Sequence, residues 1–130
     1  MEREIPSEYK KFRKFTTSSG KLVIAGKSAE QNEEVIKFAE PEELVLHTKL
    51  PGSPFCIIKG KATPADIKET AVFCARFSKA WKHNKADIEI HIFRGKDIFK
   101  EKGMKTGTFG VKKAKKILAR KGSVEKFGEN

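Results

Sequence analysis

A bend flanked by two prolines, set between two apolar runs, constrains this chain more than any other segment. The stretch ELVLHTKLPGSPFCIIKGK predicts a strand ending at His47, a tight bend over residues 51–54 and a second strand over residues 55–58. Proline fixes the direction of the backbone and glycine relaxes it. The bend should therefore present free N–H groups in a set arrangement beside His47, Lys49 and Ser53, which suits an anion such as phosphate.

The composition indicates a globular domain with a polyanionic partner. The chain has 130 residues, enough for one domain with a real core, and it is 35% charged and 38% hydrophobic. A formal net charge of +11 favours nucleic acid or another anionic surface. No apolar run approaches the length of a membrane span and the N-terminus does not resemble a signal peptide, so we expect a cytoplasmic protein without a membrane segment.

The two cysteines are expected to be structural. Cys56 and Cys74 both lie inside apolar segments, and neither has a Cys or His at metal-ligand spacing. We expect two free thiols that act as small core side chains in a reducing compartment. The sequence predicts no metal site and no cofactor.

Caps, turns and hydrophobic periodicity predict an α+β domain over residues 12–122, between a polar lead-in (1–11) and a polar tail (123–130). The predicted elements are a hairpin over 12–17 and 21–25 turning at Gly20, a helix from Ser28 to before Pro41, the two strands around the bend, a helix from Thr63 to about His83, a strand over 86–93, a loop over 94–107, a strand over 108–111 and a short helix over 112–120. We expect a five- to six-stranded, mostly antiparallel sheet with its two main helices on one face, which leaves the other face for a ligand.

Asn32 is a polar residue on the predicted inward face of the first helix. Two interpretations are equally good. Its amide is either buried and ties down a neighbouring loop, or it lines a groove and contacts a ligand.

Charge is distributed unevenly along the chain. Residues 94–121 contain eleven Lys and Arg against Asp97 and Glu101, whereas residues 30–43 contain six acids and one lysine. A solvated lysine-rich face usually carries matching acids in networks, and none are present in the C-terminal stretch. This asymmetry favours a polyanion-binding surface.

The late glycine-lysine stretch GMKTGTFG over residues 103–110 adds to this interpretation. Its glycines and threonines allow a phosphate to approach the backbone closely, although it is not a Walker loop. Phe109 is either a core residue of the last strand or a platform for an unpaired base. The residues predicted to contact RNA are His47, Lys49, Gly52, Ser53, Lys59, Lys61, Arg94, Lys96, Lys105, Thr106, Gly107, Thr108, Lys112 and Lys113.

Catalysis is the main competing hypothesis. Glu89 and His91 share one face of a strand and form either an acid–base pair or an ordinary surface pair. His47 contacts phosphate if it is protonated, or holds the bend by hydrogen bonding if it is neutral. The thiols lie in buried segments, and we predict no catalytic residue.

Several motifs in the same order resemble the NFACT-R domain, the RNA-binding module of ribosome quality-control proteins of the NEMF, RqcH and FbpA-like type. They are FTTSSGKLVI from Phe15, the helix start Gly26-x-x-Ala29-x-x-Asn32-Glu33, His47-x-x-x-Pro51-Gly52-Ser53, the helix segment 71–78 and Gly103-x-Lys105-x-Gly107. Val45 stands where the family often has an aromatic residue, and Pro54 where it often has a second histidine.

The resemblance implies an α+β RNA-binding domain in a stand-alone, archaeal-type form, because the companion modules do not fit in 130 residues. It implies a non-enzymatic role in contact with transfer RNA or ribosomal RNA, with Gly20, Gly26 and Asn32 shaping the site. Two alternatives stay open. One is an RNA-processing or RNA-modifying enzyme that uses His47 with Glu89 and His91, and the other is a protein-interaction module that docks through the acidic first helix.

Overall fold

The computed structural model describes residues 5–128 and shows an α+β fold, as predicted. The strands are β1 Arg13–Thr16, β2 Leu22–Ala25, β3 Leu44–Thr48, β4 Cys56–Ile58, β5 Ile88–Arg94, β6 Ile98–Phe99, β7 Gly110–Val111 and β8 Lys115–Ala119, and the helices are α1 Ala29–Ile36, α2 Pro64–Arg76, α3 Lys79–His83 and α4 Lys121–Glu125. Within residues 5–128, no helix is long and apolar enough to cross a bilayer.

Six strands form one antiparallel sheet in the order β1-β2-β4-β3-β5-β8. The strands on either side of the bend, β3 and β4, are its two central strands, and Leu46 pairs with Cys56. The first hairpin turns at Gly20, whose φ of 93° lies in the left-handed region. The predicted sheet and its strand–bend–strand centre are confirmed.

The prediction that both main helices share one face of the sheet is wrong. Alternate residues of the central strands enter two separate hydrophobic cores. Leu46 packs in the core that contains α2, whereas Val45 packs in the core that contains Val35 of α1. Residues 44–46 of β3 and all three residues of β4 are apolar, so both faces of the sheet need a cover there.

The predicted long second helix is two helices. α2 begins with a capping box in which Thr63 accepts from the N–H of Asp66 and the Asp66 carboxylate accepts from the N–H of Thr63. Hydrogen bonds from Ser19 and from the Thr63 N–H hold the pKa of Asp66 well below its usual value. Ser78 then caps α3 by accepting from the N–H of Trp81, so the chain changes direction there.

The predicted helix over residues 112–120 is also wrong, since this segment contains the edge strand β8. Ile117 pairs with Ile90 of β5, and Ile117 and Ala119 reach the core that contains α2. Ile117 and Ala119, at alternate positions of β8, face the core, and β5 offers a free edge for pairing. Together these outweigh the helix propensity of lysine and alanine.

Short elements occupy segments predicted to be irregular. The predicted strand over 108–111 is reduced to β7. It pairs in a separate two-stranded sheet with β6, which lies inside the predicted loop. α4 crosses the predicted domain boundary at residue 122 and buries Val124. Ser7–Tyr9 form a 3-10 turn in the predicted lead-in, and the remaining parts of the lead-in and tail, residues 1–4 and 129–130, lie outside the described residues.

Candidate nucleic-acid interface

An open groove of about 710 Å³ lies at the end of the sheet where β3 runs into the bend. It is lined by residues 26–29, 47–49, 51–55, 76–77 and 106–109, together with Arg13, Asn32, Lys79, Lys82, His91, Phe93 and Val111. The bend, the start of α1 and the late glycine-lysine stretch are therefore brought together. His47, Lys49, Gly52, Ser53, Thr106, Gly107 and Thr108, all predicted from the sequence, lie in this one groove.

The bend is fixed by hydrogen bonds between residues close in sequence and by contact with α3. The Ser53 hydroxyl accepts from the N–H of Thr48 at 3.1 Å and donates to the carbonyl of Pro54 at 2.9 Å. Gly52 has a φ of +89°, and a Cβ there would lie 2.6 Å from Cδ of Lys79. Its carbonyl accepts from the N–H of Lys79 at 2.8 Å. Only glycine combines this backbone conformation with so close an approach.

Asn32 on α1 holds the bend through two hydrogen bonds. Its Nδ2 donates to the carbonyl of Ser53 at 3.3 Å, and its Oδ1 accepts from the N–H of Phe55 at 3.2 Å. The residue is 8% exposed and its amide ties down the bend, and it also borders the groove. Whether it contacts a ligand there stays a prediction. Gly26 makes room for this amide, because a Cβ there would lie 2.3 Å from Oδ1 of Asn32.

His47 lies at the end of β3 beside the bend, and its environment favours the neutral imidazole. Burial lowers its pKa, and the nearby His91 acts in the same direction, against backbone hydrogen bonds at Thr48 and Ser53 that favour the charged form. The proton of the neutral ring lies on Nδ1, because Nδ1 is 2.7 Å from the carbonyl oxygen of Thr48 and can only donate to it. The ring centroid is 4.3 Å from that of Phe55.

His91 faces His47 across the sheet, since the two residues are paired in the β3–β5 register. Nε2 of His91 lies 2.9 Å from a carboxylate oxygen of Glu89, and this hydrogen bond is the largest influence that lowers the pKa of Glu89. Both histidines line the groove, whereas Glu89 does not.

The cysteines are free thiols, as predicted, and both are fully buried beneath the bend. Their sulfurs lie 3.8 Å and 3.7 Å from the carbonyl oxygen of Pro54 for Cys56 and Cys74 respectively. Burial and the neighbouring Cys74 raise the pKa of the Cys56 thiol well above its usual value. A thiol in this state is a poor nucleophile.

The late loop, residues 100–109, is held against α1 by a cluster that we call the Lys100 latch. Nζ of Lys100 donates to Glu33 at 2.5 Å and to the carbonyls of Lys105 at 2.6 Å and Thr108 at 2.7 Å. The same Glu33 oxygen accepts from the N–H of Gly107 at 2.6 Å. The hydrogen bond from Lys100 is the main reason why the pKa of Glu33 is lowered.

Close packing completes this wall of the groove. Gly107 has a φ of +80°, and a Cβ there would lie 2.8 Å from Cα of Ala29 at the start of α1. The ring of Phe109 meets Phe55 edge-on with centroids 5.3 Å apart, and it is half-buried. Phe109 is thus packed on the core and still borders the groove.

Among the described residues, the lysines and arginines that line the groove have no acidic residue beside them in the lining. None of these six lysines and arginines forms an ion pair within residues 5–128. They are Arg13, Lys27, Lys49, Arg76, Lys79 and Lys82. Unneutralised cations around a concave surface attract anions.

Most of these cations were missed from the sequence, which predicted only Lys49. Lys79 and Lys82 are three residues apart and therefore neighbours on α3. The signal was Ser78, a good N-cap residue, but it only becomes informative once the second helix is known to end before it.

The predicted cations outside the groove fall into two groups. Nζ of Lys59 is bonded to Glu43 at 2.6 Å and to a backbone carbonyl, and Arg94 and Lys96 both pair with Glu42. Lys61, Lys105, Lys112 and Lys113 are exposed and do not line the groove.

The expectation that residues 94–121 lack matching acids is wrong, because the fold brings acids from other segments next to them. Five of the eleven cations pair with carboxylates from other segments, among them Glu33, Glu42, Asp87 and Glu89. The acidic and basic stretches of the sequence therefore neutralise each other in part.

Comparisons with known proteins agree with this architecture. Residues 11–113 match the family model described as the NFACT protein RNA binding domain. The chain belongs to the NFACT-R family. The archaeal Rqc2 homolog aRqcH of Methanocaldococcus jannaschii is 34% identical over 122 residues, which cover 86% of this chain and 18% of that protein. The Rqc2 homolog RqcH of Streptococcus pneumoniae is 34% identical over 111 residues, 82% of this chain and 20% of that protein.

The relatives are much longer than this NFACT-R chain. The match to the human ribosome quality control complex subunit NEMF, 30% identical over 78 residues, covers 56% of this chain and 7% of that protein. The C-terminal structure of the fibronectin/fibrinogen-binding protein from Streptococcus suis superimposes with a TM-score of 0.75 at 24% identity, over 91% of this chain and 46% of that one. This likeness shows the shared fold.

Proposed function

We propose that this NFACT-R domain binds RNA without chemical change, in contact with transfer RNA or ribosomal RNA during ribosome quality control in the cytoplasm. The observation that supports this most is the groove, whose lining among residues 5–128 has six lysines and arginines and no carboxylate. Its family and the names of its relatives supply the ribosome context.

The chemistry of the groove suits the phosphate backbone. Free ammonium and guanidinium groups neutralise phosphates and release condensed counterions, which supplies much of the affinity for RNA. The bend adds backbone groups in a fixed geometry, since Gly52 and Ser53 are held by hydrogen bonds. In this proposal Lys49 contacts phosphate, whereas the neutral His47 borders the groove beside the bend.

The predicted contacts in the late loop and beyond it take graded parts in the proposal. Thr106, Gly107 and Thr108 border the groove and contact the same RNA. The exposed Lys61, Lys105, Lys112 and Lys113 extend the surface for a longer RNA. Lys59, Arg94 and Lys96 contribute less, because carboxylates already neutralise them.

The test is a salt titration of RNA binding. We expect the logarithm of the binding constant to fall linearly with the logarithm of salt concentration. In the double variant Lys79→Gln/Lys82→Gln the slope should become shallower by about 1.5, because each phosphate contact contributes roughly 0.7 to 0.9. Fluorescence anisotropy with labelled transfer RNA and ribosomal RNA fragments measures it.

The matched control is Lys68→Gln/Lys126→Gln, which removes the same charge from exposed positions outside the groove. Its slope should stay close to that of the parent chain. Binding that ignores salt, or an equal change in both variants, would contradict the proposal.

One observation favours an enzyme as the second candidate, namely that His47 and His91 border the same groove on paired positions. Two imidazoles can serve as acid and base in phosphodiester cleavage. Incubating labelled RNA with the parent chain and with His91→Asn separates the two functions. A cleaved or modified product that disappears in the variant would replace the binding proposal.

The acidic first helix gains no support as a docking surface. Glu33 is part of the Lys100 latch and Glu34 is paired with Lys11. Of the three glutamates in α1, only Glu30 is left without an ion pair within residues 5–128.

A further inference from the structure

The groove has two arms with different chemistry, one on each side of the bend. The aromatic arm is formed by His47, Phe55 and Phe109, and the arginine arm by Arg13 and Arg76 beside Phe77. Phe55 and Phe109 belong to the core that contains α1, whereas Phe77 belongs to the core that contains α2. The arms therefore lie towards opposite faces of the sheet, and the bend joins them.

The arginine arm concentrates positive charge without compensation. The guanidinium carbon of Arg13 lies 3.9 Å from the ring centroid of Phe77, and that of Arg76 lies 5.4 Å from the same centroid. Neither arginine pairs with a carboxylate within residues 5–128.

A polar atom in this arm is also left without a partner. Nε of Arg13 is buried and has no hydrogen-bond acceptor among the described residues. Two like charges on one ring repel each other, and a bound anion removes that repulsion. The planar guanidinium fork matches the oxygens of a phosphate.

The aromatic arm suits a nucleobase. Phe55 is only 4% exposed, and the half-buried rings of His47 and Phe109 pack against it and border the groove. His47 is neutral, so it offers an aromatic ring more than a charge. Aromatic rings bind unpaired bases by stacking, at about 1 to 3 kcal/mol per base.

We infer that the groove takes a short unpaired segment of RNA, with one base in the aromatic arm and a phosphate of the same segment in the arginine arm. This rests on the proposed RNA-binding function and narrows its ligand. A volume of about 710 Å³ is that of a small-ligand site. A duplex keeps its base faces inside the stack, so it has nothing to offer the aromatic arm.

The experiment compares three labelled RNAs with the full chain: a short single strand, the same strand annealed to its complement, and the same strand carrying one abasic nucleotide at a position that is moved along it. We expect the single strand to bind about 10-fold more tightly than the duplex, in keeping with the stacking of one base. At one position, the abasic change should remove most of this advantage.

Two variants separate the arms. Phe109→Leu keeps an apolar side chain on Phe55 but removes a stacking ring, so single-strand affinity should fall about 5-fold or more with the salt slope unchanged. Arg76→Gln should instead make the salt slope shallower by about 0.7. Circular dichroism melts show whether each variant is folded, and Lys68→Gln is the control for loss of charge outside the groove.

The outcomes distinguish this inference from the proposed function. Salt-dependent binding of duplex and single strand with equal affinity would overturn the inference and leave RNA binding intact. An equal loss for both RNAs in folded Phe109→Leu would overturn the aromatic arm, and an unchanged slope in Arg76→Gln would overturn the arginine arm. Failure to bind any of the RNAs would overturn the proposed function itself.

Discussion

Both the bend and the late loop line the groove, but they are held by different kinds of interaction. The bend is tied by neutral hydrogen bonds to Asn32, which is 8% exposed. The late loop is tied by the Lys100 latch, whose Lys100 and Glu33 side chains are 33% and 29% exposed. Buried neutral bonds ignore salt, whereas a partly solvated ion pair is screened. The bend is thus held by buried neutral bonds, whereas the late loop is held by packing together with a partly solvated ion pair.

The comparison predicts its largest effect at Asn32. Asn32→Ala leaves the carbonyl of Ser53 and the N–H of Phe55 buried without partners, at about 1 to 3 kcal/mol each. We expect the free energy of unfolding to fall by about 2 to 4 kcal/mol, measured with guanidinium chloride.

Gln31→Ala on the same helix is the control. Gln31 accepts from the N–H of the exposed Lys27, so its replacement should cost about 1 kcal/mol or less. If both variants lose the same stability, the bend does not depend on its buried amide.

The second prediction uses two glycines of the late loop. Gly103 and Gly107 have φ of +96° and +80°, but a Cβ on Gly103 meets nothing within 4 Å whereas one on Gly107 meets Ala29. Gly103→Ala should cost about 1 to 2 kcal/mol from backbone strain alone. Gly107→Ala should cost more and displace the loop, which loss of the nuclear Overhauser contact to Ala29 would report. Equal costs would mean that the loop moves freely off α1.

A smaller effect is expected for the latch. Lys100→Met should lower the free energy of unfolding by about 1 kcal/mol or less, because the pair is partly solvated. Amide exchange at Gly107, whose N–H bonds to Glu33, should nevertheless become faster.

Lys102→Met is the matched control for the latch, since Lys102 is exposed and forms no ion pair within residues 5–128. Its exchange rates should match those of the parent chain. An unchanged exchange rate at Gly107 in Lys100→Met would show that packing, and not charge, holds the loop.

The smallest expected effect is that the bend and the late loop lose their contributions to stability at different pH values. The pKa of His47 is below its usual 6.5, so the unfolded chain takes up this proton first and stability falls as the pH drops below 6.5. The pKa of Glu33 is below its usual 4.5, as are those of Glu42, Glu43 and Glu89, so the stabilisation by these carboxylates is lost only as the pH falls below that value. Denaturant midpoints across this range should fall in two steps, and His47→Gln should remove the upper one.

The sequence was most informative where local chemistry decides the structure. The bend, the Gly20 turn and the Thr63 cap were all predicted, because prolines, glycines and caps act within a few residues. The segment over 112–120 was predicted wrongly as a helix, because its conformation depends on whether β5, distant in sequence, lacks a neighbouring strand. The site was predicted in part for the same reason. Residues adjacent to the bend and the three residues 106–108 of the glycine-lysine stretch were predicted from local motifs, whereas Arg13 and Lys79 reach the groove only through tertiary contacts.

The two cysteine thiols next to the Pro54 carbonyl can report local opening of the domain. Both are fully buried, so iodoacetamide reaches them only when this end of the sheet opens. The rate of alkylation therefore reports how often the bend opens, and no labelling site has to be introduced into the protein. A ligand bound in the groove should lower the rate of alkylation, so mass spectrometry of the alkylated protein can measure how much of the groove is occupied.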